Sequence, residues 1–138
     1  MKKICALMVS CIFLNIYGID IDKLLYAISC VESGNDTNAV GKKGEIGALQ
    51  IKKILIDDVN RIIGDKKFNY FDRKNRQKSY EIAKIYFSYY ALNYRLKTGG
   101  LIPDAKFYIK IWKYGPKGYI KPDCDYTERV YNLYAKGM

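Results

Sequence analysis

The chain has 138 residues, of which 49% are hydrophobic and 28% charged, and its formal net charge is +10. That length and balance suit one globular domain with one core, and exclude a disordered chain or two ordinary domains. There is no histidine, which excludes Ser-His-Asp and Cys-His catalysis and nearly every zinc hydrolase site; carboxylates, hydroxyls, lysines and tyrosines remain for chemistry.

The first eighteen residues, MKKICALMVSCIFLNIYG, have the pattern of a secretory leader. Lys2 and Lys3 give a positive start, Ile4 to Ile16 is almost wholly apolar, and Gly18 is a small residue after which cleavage can follow. The apolar run is shorter than a bilayer span requires, and no other segment is long and apolar enough to make one. Two alternatives are an uncleaved N-terminal anchor and lipidation at Cys11, although Met8-Val9-Ser10 is a poor approach to a lipid site. Cleavage after Gly18 leaves residues 19–138 as the domain, and loss of Lys2 and Lys3 lowers the formal charge from +10 to +8. An exported chain of that charge suits an acidic partner such as a cell wall bearing carboxylates and phosphates, and export argues against nucleic acid.

Four helices and a loop follow the leader's end before the last helix. Ile21, Leu24, Leu25, Ile28 and Val31 form a helical stripe that Asp20 or Asp22 can cap, and Gly34-Asn35 stops it. GNDTNAVGKKGEIG then reads as a loop or short hairpin. A second helix is expected from about Gln50 to Ile63, with Gly64 as its stop. The third and longest is expected over Arg73 to Lys97, with Tyr80, Ala83, Phe87, Tyr90, Ala91 and Tyr94 on one face. A fourth starts near Pro103, carries Phe107, Ile111 and Trp112, and ends at Gly115-Pro116. The last covers about Tyr126 to Lys136. The expectation is a mainly α single domain with one early Gly-rich excursion.

Of the four cysteines, Cys5 and Cys11 lie in the leader, and Cys30 and Cys124 lie in the domain. Two cysteines in an exported chain suggest one disulfide, worth up to about 4–5 kcal/mol for so long a loop in the chain-entropy picture. Two unpaired buried thiols are the alternative.

Glu32 lies four, seven and eleven residues beyond Ile28, Leu25 and Ile21, so its side chain falls on the buried stripe. Desolvation and the negative end of the helix dipole both raise a carboxyl's pKa there, which is what a general acid near neutral pH needs. The plain alternative is a frayed helix end with Glu32 in water. Eighteen residues on, Gln50 offers a donor and an acceptor on one planar amide, behind two glycines that permit close backbone approach.

AISCVESGNDTNAVGKKGEIGALQI resembles the opening of the lytic transglycosylase domain of the lysozyme-like superfamily. Glu32-Ser33 matches that family's helix-ending Glu-Ser, and Gly47-Ala48-Leu49-Gln50-Ile51 its Gly-Leu-Met-Gln segment with a following aliphatic residue. IKIWKYGPKGY resembles the third motif, with Trp112 in the aromatic place, and DYTERVYNLY the C-terminal helix, with Tyr126 in its aromatic place. The resemblance implies a lysozyme-like fold, no metal or cofactor, a monomer, and peptidoglycan glycan strands as substrate. It implies that Glu32 is the catalytic acid/base, that Ser33, Gly47, Gln50, Ile51, Trp112, Lys113, Tyr114 and Tyr126 contact sugar, and that the product is a 1,6-anhydro sugar. Small domains of this kind serve wall remodelling, phage lysis, and secretion or conjugation machines.

The pattern also departs from the family. Gly41 stands where many members carry serine, Lys113 replaces the third motif's Asn, and Tyr114 its small residue. Asp123 and Asp125 are the nearest counterparts of an acidic residue before the last helix. A water-using muramidase with Asp36 or Glu45 as helper, a wall-binding component without turnover, and a cationic membrane-active protein are the rivals. Asp36 in its NDTN stretch suits a turn, and Glu45 between glycines suits surface charge. Aromatic faces stack on pyranose rings, for which Trp112, Tyr114, Tyr119 and Tyr126 are the candidates.

Overall fold

A computed structural model describes residues 15–137, so the leader expected over residues 1–18 lies mostly outside the described residues. Its last part forms a small hairpin that the sequence reading did not anticipate. Strand β1, Asn15–Ile16, pairs antiparallel with β2, Ile19–Asp20. The turn between them holds Tyr17, whose ring lies 4.5 Å from the Arg95 guanidinium.

Five α-helices make up most of the described residues, and the fold is mainly α as expected. Helix α1, Ile21–Ser33, is capped by Asp20, whose carboxylate accepts from Lys23 N at 3.0 Å. It stops at Gly34 in the left-handed region, where Gly34 N donates to the Cys30 carbonyl and Asn35 N to that of Ser29, the closing pattern that satisfies a helix's last carbonyls. Helix α2 spans Lys53–Ile63, α3 Arg76–Lys97, α4 Ala105–Tyr114 and α5 Asp125–Lys136. α1 packs on α5 and α3, α2 lies on α3, and α4 packs on α5 and on a 3-10 turn at Gly118–Ile120. The core runs between them through Ile21, Leu24, Leu25 and Ile28 of α1, Phe87 of α3, Tyr108 and Ile111 of α4, and Val130 of α5. Burying each such aliphatic side chain is worth about 1.5–3 kcal/mol. On α3 the buried arc is wider than the expected face and includes Ser79, Ile82 and Tyr86, because α1 and α2 cover it from two sides.

Two helices begin three residues later than the periodicity suggests. Gln50 has a positive φ of 51°, and Ile51 exchanges both backbone hydrogen bonds with Ile46, at 3.1 Å each. Those groups are committed to a bridge, so α2 cannot start until Lys53. With a second bridge between Val40 and Ile46, the Gly-rich excursion is a compact looped segment rather than a regular hairpin. Ahead of α3, Asn69 and Asp72 cap each other's backbone over a 3-10 turn at Tyr70–Lys74, and Asn75 caps α3 itself.

Arg73 therefore belongs to the turn. It is buried, and its guanidinium donates to the carbonyls of Tyr70 at 2.7 Å, Gly44 at 3.1 Å and Ile51 at 3.0 Å. One cation thus ties the excursion to the turn before α3. The backbones meet closely at Gly47, where an added Cβ would collide with the Arg73 carbonyl oxygen, and φ is +86°. Gly44 also has a positive φ, of +80°, but nothing lies within 4 Å of its missing Cβ. Gly47→Ala should therefore destabilise the fold by at least about 3 kcal/mol, from conformational strain and overpacking together, while Gly44→Ala should cost only about 1–2 kcal/mol. Denaturant unfolding of the two variants checks this; equal losses would mean that the contact with Arg73 is not tight.

Candidate active site

The C-terminal end of α1 delivers Glu32 to the base of a groove of about 700 Å³. The groove's other walls come from the Gly-rich excursion through Glu45, Gln50 and Ile51, and from α2 through Leu55, Asp57, Asp58 and Arg61. α3 adds Tyr86 and Tyr90, and the end of α4 adds Trp112, Lys113, Tyr114, Gly115 and Pro116. The stripe of Ile21, Leu25 and Ile28 does carry Glu32 inward, and the side chain is half-buried. Among the described residues, no group of three or more His, Cys, Asp or Glu side chains is placed to hold a metal ion.

Glu32 has one close partner. The Tyr126 hydroxyl, from the first turn of α5, donates to its Oε1 at 2.6 Å. Burial raises the Glu32 pKa above the ordinary carboxylate value. The Tyr126 hydrogen bond opposes that rise, as do the charges of Lys113 and Lys52, while Glu45 adds to it. Burial, then the neighbouring Glu32 charge, pushes the Tyr126 phenol far up, so it remains a donor at every relevant pH. Lys113 Nζ sits 4.5 Å from the centre of the Tyr126 ring, a cation–π contact. Lys113, Tyr126 and Glu32 therefore form one contiguous chain of contacts.

Most of the expected site residues line this groove: Glu32, Gln50, Ile51, Trp112, Lys113 and Tyr114. Three do other work. Ser33 Oγ donates to the Ala48 carbonyl at 2.8 Å and accepts from Asp36 N at 3.0 Å, which fastens the end of α1 to the excursion. Gly47 is buried against the Arg73 backbone. Tyr126 stands behind Glu32 rather than on the groove wall. Gln50 itself is partly spent, since its amide nitrogen donates to the Gly47 carbonyl at 2.9 Å. Trp112 is braced edge-on by Tyr86 and Phe87, at 6.1 and 5.6 Å between ring centres.

Cys30 and Cys124 are free thiols, so the expected bridge is not formed in this structure. Cys124 instead precedes the first turn of α5, where its sulfur lies 3.4 Å from the Thr127 hydroxyl and accepts from the Tyr114 hydroxyl at 3.0 Å. Those contacts bring its pKa down to about 7. Asp123 pairs with Lys106 and Lys110 of α4, and it thereby anchors the segment that leads into α5.

Sequence reasoning set Glu45 aside as surface charge and did not reach the α2 side chains. Glu45 lines the groove because the loop folds back: Gly41 N donates to the Glu45 carbonyl at 2.7 Å. A Cβ at Gly41 would collide with the Glu45 carboxylate and the Gln50 amide oxygen. Glycine at this position thus leaves room for the Glu45 carboxylate and the Gln50 amide. Asp58 accepts from Arg61 and, at 2.6 Å, from the Tyr90 hydroxyl. The signal for this wall was an acidic-basic spacing of three on α2, which alone does not separate a groove from a solvated face.

No family model, curated protein or solved structure matches the chain.

The opposing influences on Glu32 give a test that needs no substrate. Lys113→Gln removes a cation that favours the carboxylate, so the Glu32 pKa should rise. Glu45→Gln removes a repelling anion, so it should fall. Side-chain carboxyl NMR titration reads both shifts; the same sign in both variants would mean that the two charges do not face Glu32.

Proposed function

We propose that the protein cleaves the glycan strands of peptidoglycan as a lytic transglycosylase, with Glu32 as its single general acid and base. The observation that carries this reading is the half-buried Glu32 carboxyl at the base of an open groove, held at one oxygen by a phenol. Its raised pKa keeps a proton available for the glycosidic oxygen between N-acetylmuramic acid and N-acetylglucosamine. As the C1–O4 bond breaks, that proton goes to O4 of the departing sugar. The resulting carboxylate then takes the proton of the muramic acid's C6 hydroxyl while O6 bonds to C1. No water is consumed, and the enzyme regains its proton.

The second step is intramolecular, so the nucleophile arrives already positioned and no second carboxylate is required. Tyr126 stabilises the carboxylate between the two steps without itself ionising. Trp112 and Tyr114 offer ring faces to pyranoses, and Lys52 and Lys113 stand in the groove beside its carboxylates. The leader-like N-terminus fits export to the periplasm or cell envelope, where such strands lie.

A second reading, water-using hydrolysis, is favoured by one observation. Hydrogen bonds from its own backbone N–H and from that of Lys43 (2.9 Å) hold Glu45 below the ordinary carboxylate range. Two carboxyls in one groove with their pKa values pushed apart suit the acid and base that hydrolysis uses.

Two variants separate these readings. Glu32→Gln keeps the side chain's shape but has no proton to give, and clearing of purified cell walls should fall about 100- to 10,000-fold. Equal clearing by both forms would sink the catalytic reading, and lysis of wall-less vesicles would favour a membrane-active protein. Glu45→Gln should keep activity within a few-fold on the transglycosylase reading; a loss as deep as that of Glu32→Gln would favour hydrolysis.

A further inference from the structure

A second, smaller pocket of about 280 Å³ adjoins the groove, with Tyr90 and Pro116 lining both. Its other lining residues are Asn93, Tyr94 and Lys97 of α3, and Lys117, Tyr119 and Ile120 after α4. Its walls are firm. Tyr119 stacks on Phe107 at 5.5 Å and meets Tyr94 edge-on at 5.1 Å, while Tyr94 packs on Phe107 at 4.7 Å. Tyr90 is fixed by its hydrogen bond to Asp58. Lys97 and Lys117 are exposed at the rim, and among the described residues neither forms an ion pair within 4 Å, unlike Lys106 and Lys110, which share Asp123.

We propose that this pocket binds the peptide stem of the strand lying in the main groove, with Lys97 and Lys117 engaging a stem carboxylate. The inference rests on the reading of the groove as a glycan-strand site. A peptidoglycan strand carries stems on its muramic acids, and they project sideways from the glycan axis. A pocket beside the groove is placed to meet a stem, whereas one more sugar would extend along the groove itself. Its chemistry fits a short peptide better than a sugar: tyrosine faces for aliphatic side chains, the Asn93 amide for a peptide group, and two unneutralised cations. No acidic side chain lines it, whereas the main groove carries Glu32, Glu45, Asp57 and Asp58. Anionic parts of the substrate are thus favoured in the second pocket, which has two cations and no carboxylate.

The test uses the full chain with Glu32→Gln, so that strands bind without being cut. Two probes are compared: soluble glycan strands with free stem carboxylates, and the same strands with those carboxylates converted to amides. The free-carboxylate strands should bind about 5- to 10-fold more tightly, as expected for two exposed charge pairs. Adding Lys97→Gln with Lys117→Gln should erase that preference, and Lys97→Arg with Lys117→Arg should restore it. An equal loss of affinity for both probes would make the pocket a sugar subsite, and no change with either would make the lysines bystanders; each overturns the proposal. Carboxylate-dependent binding by a protein whose Glu32 form never cleaves strands would leave this site standing and sink the catalytic reading. No binding to either probe would sink both.

Discussion

The hydrogen bond from Tyr126 to Glu32 joins residues 94 apart in sequence, and the arrangement of the helices serves it. A carboxyl at the C-terminal end of a helix faces the negative end of the dipole and is not stabilised by its own backbone. Burial adds to that penalty. The phenol offsets part of it, and α5 must pack against α1 for the phenol to be there. The result is a carboxyl that holds its proton more readily than a surface glutamate. Lys113, set over the ring of the same phenol, acts on Glu32 through space, and among the described residues the two form no ion pair within 4 Å.

A second constraint holds the opposite wall. Arg73 gathers three carbonyls from two segments, and Gly47 lets those segments touch. Ser33 then ties the end of α1 to the same excursion. Ser33 and Gly47, which a motif comparison would assign to sugar binding, are here the fasteners that bring Glu32 and Gln50 into one groove. A groove built this way depends on backbone contacts that few side chains can replace.

The helices were legible because their stripes and stops are local signals: Asp20, Gly34, Gly64 and Gly115 stand at the boundaries they suggest. Glu32 was legible for the same reason, since its spacing from Ile28 and Leu25 already put it on the buried face. The start of α2 was not, because Gln50 adopts a left-handed backbone imposed by the Ile46–Ile51 bridge, a tertiary effect with no local mark. Arg73 looked like an ordinary first-turn residue of α3, and nothing nearby in sequence shows that its partners are the carbonyls of Gly44 and Ile51. Glu45 was legible in part: its glycine-flanked surroundings imply a loop with exposed charge, but not that the loop folds back onto the groove. The pairing of Cys30 with Cys124 followed from counting alone, and the geometry gives Cys124 other partners.

Lys113 and Glu45 carry the chemical question that remains, because they bias Glu32 in opposite directions and only Glu45 offers a second carboxylate. The account holds that the substrate's own hydroxyl closes the reaction. Digestion of purified peptidoglycan followed by mass spectrometry of the sugar ends tests this directly. The account predicts 1,6-anhydro-N-acetylmuramic acid ends, and reducing ends heavier by one water in their place would contradict it.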